Sequence, residues 1–463
     1  MRRKANPMEL LNRDKDTICA LATAPGVGAI SIVRVSGDDA VKIGRKLAAF
    51  LPEYPDSHRV YYGIIKDSVS EEPLDEVLIS YFGKGRSFTG ESTLEISCHG
   101  SPTIVDEILQ SLIEAGARPA ERGEFTFRAF QNGRVDLVQA ESILAMIESR
   151  SKRAARMALR QLQGELSTKI RTLTSDLTTC LAHLEANIDF AAEDIEIASN
   201  ESLIQRLLEL KRSVIQLLRS YRQGRLIRGG VEALLVGRPN AGKSSLLNAF
   251  VQEDRAIVTE LAGTTRDFVE CETSLGGIRL SLVDSAGLRP TDDRVEKIGV
   301  ERTVARFSDA DLILYVVDAE EGITDSDRAF WDQLPWESTL VLVNKSDLNP
   351  AFNFEPPGGA LGVLRVSART GQGLNDWKTW IENWMSMELK EDSTVISNAR
   401  HFRLLKQVQE SLETAIPLLQ ADESPDLIAL ELQAGLQAFY DILGLTYDDQ
   451  VMDRVFGEFC LGK

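Results

Sequence analysis

Short apolar runs open the chain: Ala29 to Val35, Val60 to Ile65, Val77 to Phe82 and Leu94 to Cys98, each bounded by turn-forming residues. Their length and composition predict strands. From Ser101 to Ala115 the apolar positions Ile104, Val105, Ile108, Leu109 and Leu112 recur three and four apart, which predicts a helix. Residues 1–130 therefore read as an α+β domain. The pattern then lengthens. Between Val135 and Arg222 there is no proline, and Ile143, Leu144, Ile147, Leu159, Leu162, Leu166, Ile170, Leu173 and Leu177 keep helical spacing. Residues 131–229 read as long amphipathic helices, interrupted by the acidic stretch Ala191 to Asn200 and ended by Gly229-Gly230.

Strand–helix alternation returns in residues 230–386. Leu280 to Val283, Leu312 to Val317, Thr339 to Val343 and Gly362 to Val366 are apolar enough for strands buried on both faces of a parallel sheet covered by helices. Helical spacing resumes in residues 387–463 through Leu404, Leu405, Val408, Leu412, Leu427, Leu430, Leu436 and Phe439. Helical segments thus flank the α/β region on both sides. The economical arrangement is one helical bundle into which the α/β domain is inserted.

A chain of 463 residues is too long for one core and implies two to four domains. No apolar stretch is long enough to span a bilayer, and the basic start Met1-Arg2-Arg3-Lys4 lacks the apolar core of a secretion signal. Five scattered cysteines without a C-x-x-C pair point to a reducing, cytoplasmic setting and away from a disulfide framework or a zinc knuckle; four histidines argue against a His-rich metal site. The net charge of −18 means that any nucleic acid must be met by a local basic patch or a basic partner. Arg219 to Arg228 is one such patch, though it reads first as a solvated helix end and linker.

The chemistry is concentrated in the α/β region. Gly237-Arg238-Pro239-Asn240-Ala241-Gly242-Lys243-Ser244 follows the apolar run Val231 to Val236 and leads into a helix beginning Ser245-Leu246. Glycines there let backbone N–H groups face a phosphate, Lys243 adds a point charge, and the Ser244 hydroxyl is a Mg²⁺ ligand. Asn344-Lys345-Ser346-Asp347 follows the strand ending at Val343. The Asp347 carboxylate can accept two hydrogen bonds from guanine, whereas adenine offers neither donor. Ser367-Ala368-Arg369, after the next strand, supplies N–H groups for the guanine oxygen. Asp284-Ser285-Ala286-Gly287 follows another strand: Asp284 is placed to hold Mg²⁺ through water, and the Gly287 N–H to sense the terminal phosphate. Between these motifs Gly263-Thr264-Thr265-Arg266-Asp267 is a switch candidate, with Thr265 as a second Mg²⁺ ligand.

Leu288 stands where Ras-like enzymes commonly carry a water-orienting Gln, so hydrolysis needs another polar group. Glu296 is the candidate; its spacing fits equally a solvated glutamate at a helix start. Asn240 reads either as a loop hydrogen-bonder or, with carbonyls from Thr259 to Thr264, as part of a monovalent-cation ring.

These residues resemble the tRNA-modification GTPase MnmE (TrmE) family. The resemblance spans essentially the whole chain: residues 237–245, Ile257 to Asp267, Val295 to Gly299, Phe88-Thr89-Gly90-Glu91 leading to Leu94-Glu95, Gly123-Glu124-Phe125 with Arg128-Ala129-Phe130, and the terminal Phe459-Cys460-Leu461-Gly462-Lys463. It implies a K⁺-activated GTPase in which Asn240, Thr259, Leu261 and Thr264 hold K⁺, Ser244 and Thr265 hold Mg²⁺, and Glu296 orients the water. It implies that Glu260, Ala262 and Gly263 line the nucleotide with their neighbours. It further implies a homodimer formed by N-terminal domains that bind a formyl-tetrahydrofolate-type one-carbon carrier at Arg34, Glu95, Arg134 and Lys463. The implied partner is a flavin-binding protein, MnmG, in a heterotetramer that modifies the wobble uridine of certain tRNAs. Arg134 departs from a more usual lysine, and Ser285 from a more usual threonine. Cys460 reads either as a tail cysteine packed in the bundle or as a reactive thiol near the folate. Two rivals remain at this stage: a regulatory GTPase switch of the ribosome-assembly type, and a nucleotide-binding scaffold of negligible turnover, which Leu288 would suit.

Overall fold

A computed structural model describes residues 16–189, 199–253, 269–284, 307, 310–356, 358–388, 394–446, 449–460 and 462–463. The chain forms two compact units. One comprises residues 1–144, 160–211 and 404–463; the other comprises residues 145–159 and 212–403.

The first unit is built on β1 (Ile18–Leu21), β2 (Ile30–Ser36), β3 (Arg59–Lys66), β4 (Pro73–Phe82), β5 (Thr93–His99) and β6 (Arg118–Pro119). The sheet order is β3-β4-β5-β2-β1-β6, antiparallel except for the β1–β6 pair. α1 (Ala40–Leu47) and α2 (Pro102–Glu114) bury Val33, Val35, Leu94, Ile96, Val105 and Ile108 in one core. Period-2 alternation sends every second residue to the other face, where Val60, Tyr62 and Ile64 of β3 and Leu78 of β4 stay exposed. The α+β expectation holds, and β1 is an addition: its four residues, Ile-Cys-Ala-Leu, are too few to carry an alternation.

Helices complete this unit, and some of them belong wholly or partly to the second. α3 (Glu124–Gln131) and α4 (Leu137–Glu148) follow the sheet. α5 (Lys152–Leu162), α6 (Glu165–Asp189) and α7 (Asn200–Arg219) come next. α8 (Tyr221–Gly229) leads into the nucleotide region. After it come α12 (Ala399–Gln420), α13 (Pro425–Leu443) and α14 (Asp449–Gly457). α13 packs along α6 and opens with Pro425 at its first turn, where the missing N–H costs nothing. It ends at Gly444, φ 74°, the left-handed cap glycine tolerates best.

In the second unit β7 (Val231–Val236), β8 (Val269–Leu275), β9 (Ile278–Asp284), β10 (Leu312–Asp318), β11 (Thr339–Asn344) and β12 (Gly362–Arg365) form a sheet of order β12-β11-β10-β7-β9-β8. Alternate residues of β7 feed two cores. Ala233 and Leu235 join Phe250, Trp377 and Leu280 on one face; Leu234 and Val236 join Tyr315 and Val341 on the other. α9 (Lys243–Glu253) and α11 (Leu374–Glu388) supply Phe250 and Trp377, whose rings lie 4.3 Å apart. α10 (Asp325–Trp331) supplies Trp331 to the other face. Two expectations need correcting. The sheet is not wholly parallel, because β8 is an antiparallel edge strand paired with β9. β12 is not buried on both faces; its residues alternate half-buried and exposed because it is the opposite edge.

Within this unit the chain's entry and exit are clasped. Gly224 of α8 lies so close to the Ile396 carbonyl that a Cβ there would sit 2.1 Å from its oxygen. The Ile396 N–H donates to Ser220 Oγ at 3.2 Å, and the Tyr221 and Phe402 rings stack 4.4 Å apart.

Candidate functional site

The phosphate loop connects β7 to α9. Its backbone needs unusual torsions: Gly237 has φ 143°, Gly242 has φ 91°, and Asn240, which carries a side chain, has φ 63°. A non-glycine residue in the left-handed region is strained, and such strain concentrates at ligand sites. At Gly242 a Cβ would stand 2.2 Å from Asn344 Nδ2, so only glycine lets the loop approach β11.

Asn344 is the tie between phosphate and base ends. It is buried, donates from Nδ2 to the Ala241 carbonyl at 2.9 Å, and accepts at Oδ1 from the Ala368 N–H at 3.2 Å. One side chain thereby fixes the phosphate loop, the end of β11 and the Ser367-Ala368-Arg369 turn. Lys345 adopts φ 58° and places Nζ 2.6 Å from Asp318 Oδ2. Ser346 donates from N and Oγ to the Val366 carbonyl at 3.2 and 2.9 Å. Asp347 is half-buried, and its carboxylate has no protein partner among the described residues. A half-buried acceptor held by such a frame is suited to a ligand with two adjacent N–H donors.

At the other end Lys243 is buried and donates to the Gly237 and Arg238 carbonyls at 2.7 and 2.9 Å. Burial lowers its pKa, and the Asp284 carboxylate opposes that shift. The Ser244 hydroxyl donates to Asp284 Oδ2. Two hard oxygen donors side by side at the start of α9 fit a Mg²⁺ ion. Ser245 continues the first turn of that helix. Asn240 is exposed, with no partner for its amide among the described residues. Thr259, Glu260, Leu261, Ala262, Gly263, Thr264, Thr265, Ser285, Ala286, Gly287, Leu288 and Glu296 lie outside the described residues.

A second polar site lies in the first unit. Arg34 on β2 and Glu95 on β5 are register partners, joined by bonds of 3.0 and 2.8 Å from Nε and Nη2. The Arg34 guanidinium also lies over the Phe88 and Phe125 rings, 5.6 and 5.5 Å from their centroids. From the C-terminal end, the Gly462 carbonyl accepts from Arg34 Nη1 at 3.5 Å. Gly462 has φ 90°, and a Cβ there would meet the Leu21 carbonyl oxygen at 2.0 Å. The tail is thus seated on β1, anchored by buried Phe459. Burial lowers the Lys463 pKa, the Arg34 charge lowers it further, and Glu95 opposes both. Arg34, Glu95 and Lys463 are therefore one charge cluster. Arg134 makes a different contact: Nη1 donates at 3.3 Å to the Gly85 carbonyl, on the loop that also carries Phe88.

Cys460 is the exposed cysteine; Cys19, Cys98, Cys180 and Cys271 are buried, and burial pushes the thiols of Cys19 and Cys98 up to about 12 and about 11. The charges felt by Lys463 are those of Arg34 and Glu95, and Lys463 meets Cys460 through the backbone, its N–H donating to the Cys460 carbonyl at 3.4 Å.

Sequence reasoning gave no role to Glu91, Glu124 and Arg128, although the motifs containing them were legible. Glu124 is buried and accepts from Arg118 at 2.6 and 3.1 Å, from Arg128 at 3.0 Å and from the Glu121 N–H at 2.8 Å. Arg128 continues to Glu91 at 3.1 Å, and Glu91 accepts from Ser36 Oγ at 2.7 Å. This network ties the loop between β4 and β5 to α3. Phe88 and Phe125, the rings beneath Arg34, belong to those two segments.

Two family models match the chain: "GTP-binding protein TrmE N-terminus" over residues 17–134, and "MnmE helical domain" over residues 137–460. The tRNA modification GTPase MnmE of Bdellovibrio bacteriovorus is 42% identical over 99% of this chain and 100% of its own length. That of Ligilactobacillus salivarius is 40% identical over 97% and 98%. Among solved structures, the G domain of the T. maritima FeoB iron transporter is similar over 33% of this chain and 98% of its own, at 24% identity and a TM-score of 0.26. That score carries no weight beside the sequence relatives, which match along nearly the full chain. On those matches, the chain belongs to the tRNA modification GTPase MnmE family.

Proposed function

We propose that this chain hydrolyses GTP with Mg²⁺ and K⁺ and, with a flavin-binding MnmG-type partner, installs an aminomethyl-type group at C5 of the wobble uridine in certain tRNAs. The observation that carries the GTP reading is the frame around Asn344, which ties the phosphate loop to the segment bearing Asp347, whose carboxylate has no partner among the described residues. Guanine presents the two N–H donors that this acceptor lacks, and discrimination follows from the cost of leaving it unpaired. The Ser367-Ala368-Arg369 turn meets the base oxygen through the Arg369 N–H, the Ala368 N–H being held by Asn344 Oδ1. Gly242, Lys243, Ser244 and Ser245 hold the phosphates. Ser244 and Asp284, with Thr265, hold Mg²⁺; Asn240, Thr259, Leu261 and Thr264 hold K⁺. Bound cations offset the charge that develops on the transferring phosphoryl oxygens. Glu296 orients the attacking water.

The cluster of Arg34, Glu95 and Lys463 over two aromatic rings supports binding of a formyl-tetrahydrofolate-type carrier: two cations for its carboxylates, one acceptor for its ring N–H groups. Arg134 acts on the rim of this site through the loop at Gly85. The exposed apolar stripe of Val60, Tyr62, Ile64 and Leu78 supports a homodimer through the N-terminal sheet. Among the described residues no helix is long and apolar enough to cross a membrane, in keeping with work in the cytoplasm.

The test has two measurements. GTP hydrolysis by the purified chain is followed in KCl and in NaCl, and tRNA wobble nucleosides are analysed by mass after removal of the protein. Faster hydrolysis in K⁺ and loss of the modified uridine are expected. Equal rates in both salts overturn the cation assignment. Unchanged nucleosides with active turnover favour a regulatory switch instead.

A further inference from the structure

Between Ser149 and Gly164 the chain carries Arg150, Lys152, Arg153, Arg156 and Arg160 and no Asp or Glu, inside a protein of net charge −18. α5 holds most of this segment. Its inner side is Ala154, Met157 and Ala158, all buried. Lys152, Arg156 and Arg160 are exposed and stand four residues apart. Helix geometry alone then puts the three cations within an arc of about 80°, about 6 Å apart along the axis. None of the three forms an ion pair among the described residues. Arg150, by contrast, is taken by Glu272 at 3.2 Å, and the Arg153 N–H by the Gly277 carbonyl at 3.2 Å.

The arrangement works against the helix that bears it. The first turn has Lys152 and Arg153 and no acid, where the positive end of the helix dipole disfavours cations. Cations at four-residue intervals also repel one another. A surface helix shaped by stability alone would carry acids in that first turn, so a local rule is broken without a local gain. A row of cations without an ion pair among the described residues matches a polyanion with regularly spaced charges, and RNA backbone is such a polymer.

We propose that the Lys152–Arg156–Arg160 face of α5 docks the phosphate backbone of tRNA. This rests on the tRNA-modification reading above. Contact is with phosphates, so it positions the RNA without reading its sequence.

The experiment compares the full-length chain with the triple variant Lys152→Gln, Arg156→Gln, Arg160→Gln, measuring tRNA affinity as a function of KCl. Glutamine keeps the helix propensity and the exposed position. The slope of log affinity against log salt should flatten by about 2 to 3, at 0.7–0.9 per lost phosphate contact. GTP hydrolysis should be unchanged, which also reports that the variant is folded. The variant Lys152→Arg, Arg156→Lys, Arg160→Lys, which keeps charge, should retain the parental slope. If the parent binds tRNA and the glutamine variant follows the same salt line, the docking surface is overturned, and an acidic protein partner becomes the better occupant. If the parent fails to bind tRNA at any salt, the tRNA reading falls with it.

Discussion

Glu124→Gln removes one negative charge from the most buried ionic group of the N-terminal unit. Two donors converge on each carboxylate oxygen: Arg118 and Arg128 on Oε1, Arg118 and the Glu121 N–H on Oε2. Glutamine can offer an acceptor to one pair only; its NH₂ must face the other. The Glu124 side chain is 4% exposed and that of Arg128 5%, so water cannot repair the loss. Breaking a buried pair by removing one partner costs about 3–5 kcal/mol. Part of Arg128 is still met by Glu91, and part of Arg118 by Asp16, which favours the lower half of that range. All five tryptophans lie between 331 and 384, in the nucleotide unit, so their fluorescence reports that unit alone while far-ultraviolet circular dichroism reports the whole chain. In a urea titration the dichroism transition should move to lower urea and the tryptophan transition should stay. The pH dependence has a definite sign. Burial alone would raise the Glu124 pKa, but the Arg118 hydrogen bonds, the Glu121 N–H and the charges of Arg118 and Arg128 outweigh it and hold the pKa below its ordinary 4.5. The stabilisation is therefore fully present above pH 4.5 and is lost as pH falls through the depressed value, so parent and variant should converge in acid. A neutral-pH difference below about 1 kcal/mol, the scale of an ordinary hydrogen bond, would refute the buried-network account.

Asp347→Asn should weaken GTP binding and favour xanthine nucleotides, read by competition binding; unchanged guanine preference would remove Asp347 from base recognition. Glu296→Ala should bind GTP normally and hydrolyse it about 10²–10⁴-fold more slowly, the range for lost general acid–base assistance; an unaltered single-turnover rate would exclude it from catalysis. Gly462→Ala must unseat the tail, because its Cβ would lie 2.0 Å from the Leu21 carbonyl oxygen. Carrier binding by calorimetry should fall while GTP hydrolysis persists, and parental carrier affinity would show that the seated tail is dispensable.

The nucleotide sheet was legible because its central strands are buried on both faces and read as unbroken apolar runs. β8 lacks such a run: Val269–Leu275 alternates Glu270, Glu272 and Ser274 with Val269, Cys271, Thr273 and Leu275, as an edge strand does, and its place comes from pairing with β9 and from Arg279 and Arg150 bonding to Glu272. The residues proposed to meet the base were legible from motif order at strand ends. The role of Asn344 as a tie was hidden, since its partners lie 103 and 24 residues away. The tail contact joins positions 428 residues apart, a separation no local pattern encodes. Composition places Glu124 and Arg128 at the surface by default, and only packing makes them an interior network.

The clasp between Ser220-Tyr221-Gly224 and Ile396-Phe402 brings the two ends of the nucleotide region to one spot. A segment whose ends already meet can be excised, or grafted into a tolerant turn of another protein, with little stretching of its scaffold. Residues 212–403 therefore approach a portable cassette, tied to residues 145–159 of the same unit through Arg150–Glu272 and the Arg153 N–H to the Gly277 carbonyl. A circular permutant that links its ends and opens one of its exposed loops should keep the sheet and the Asn344 frame intact.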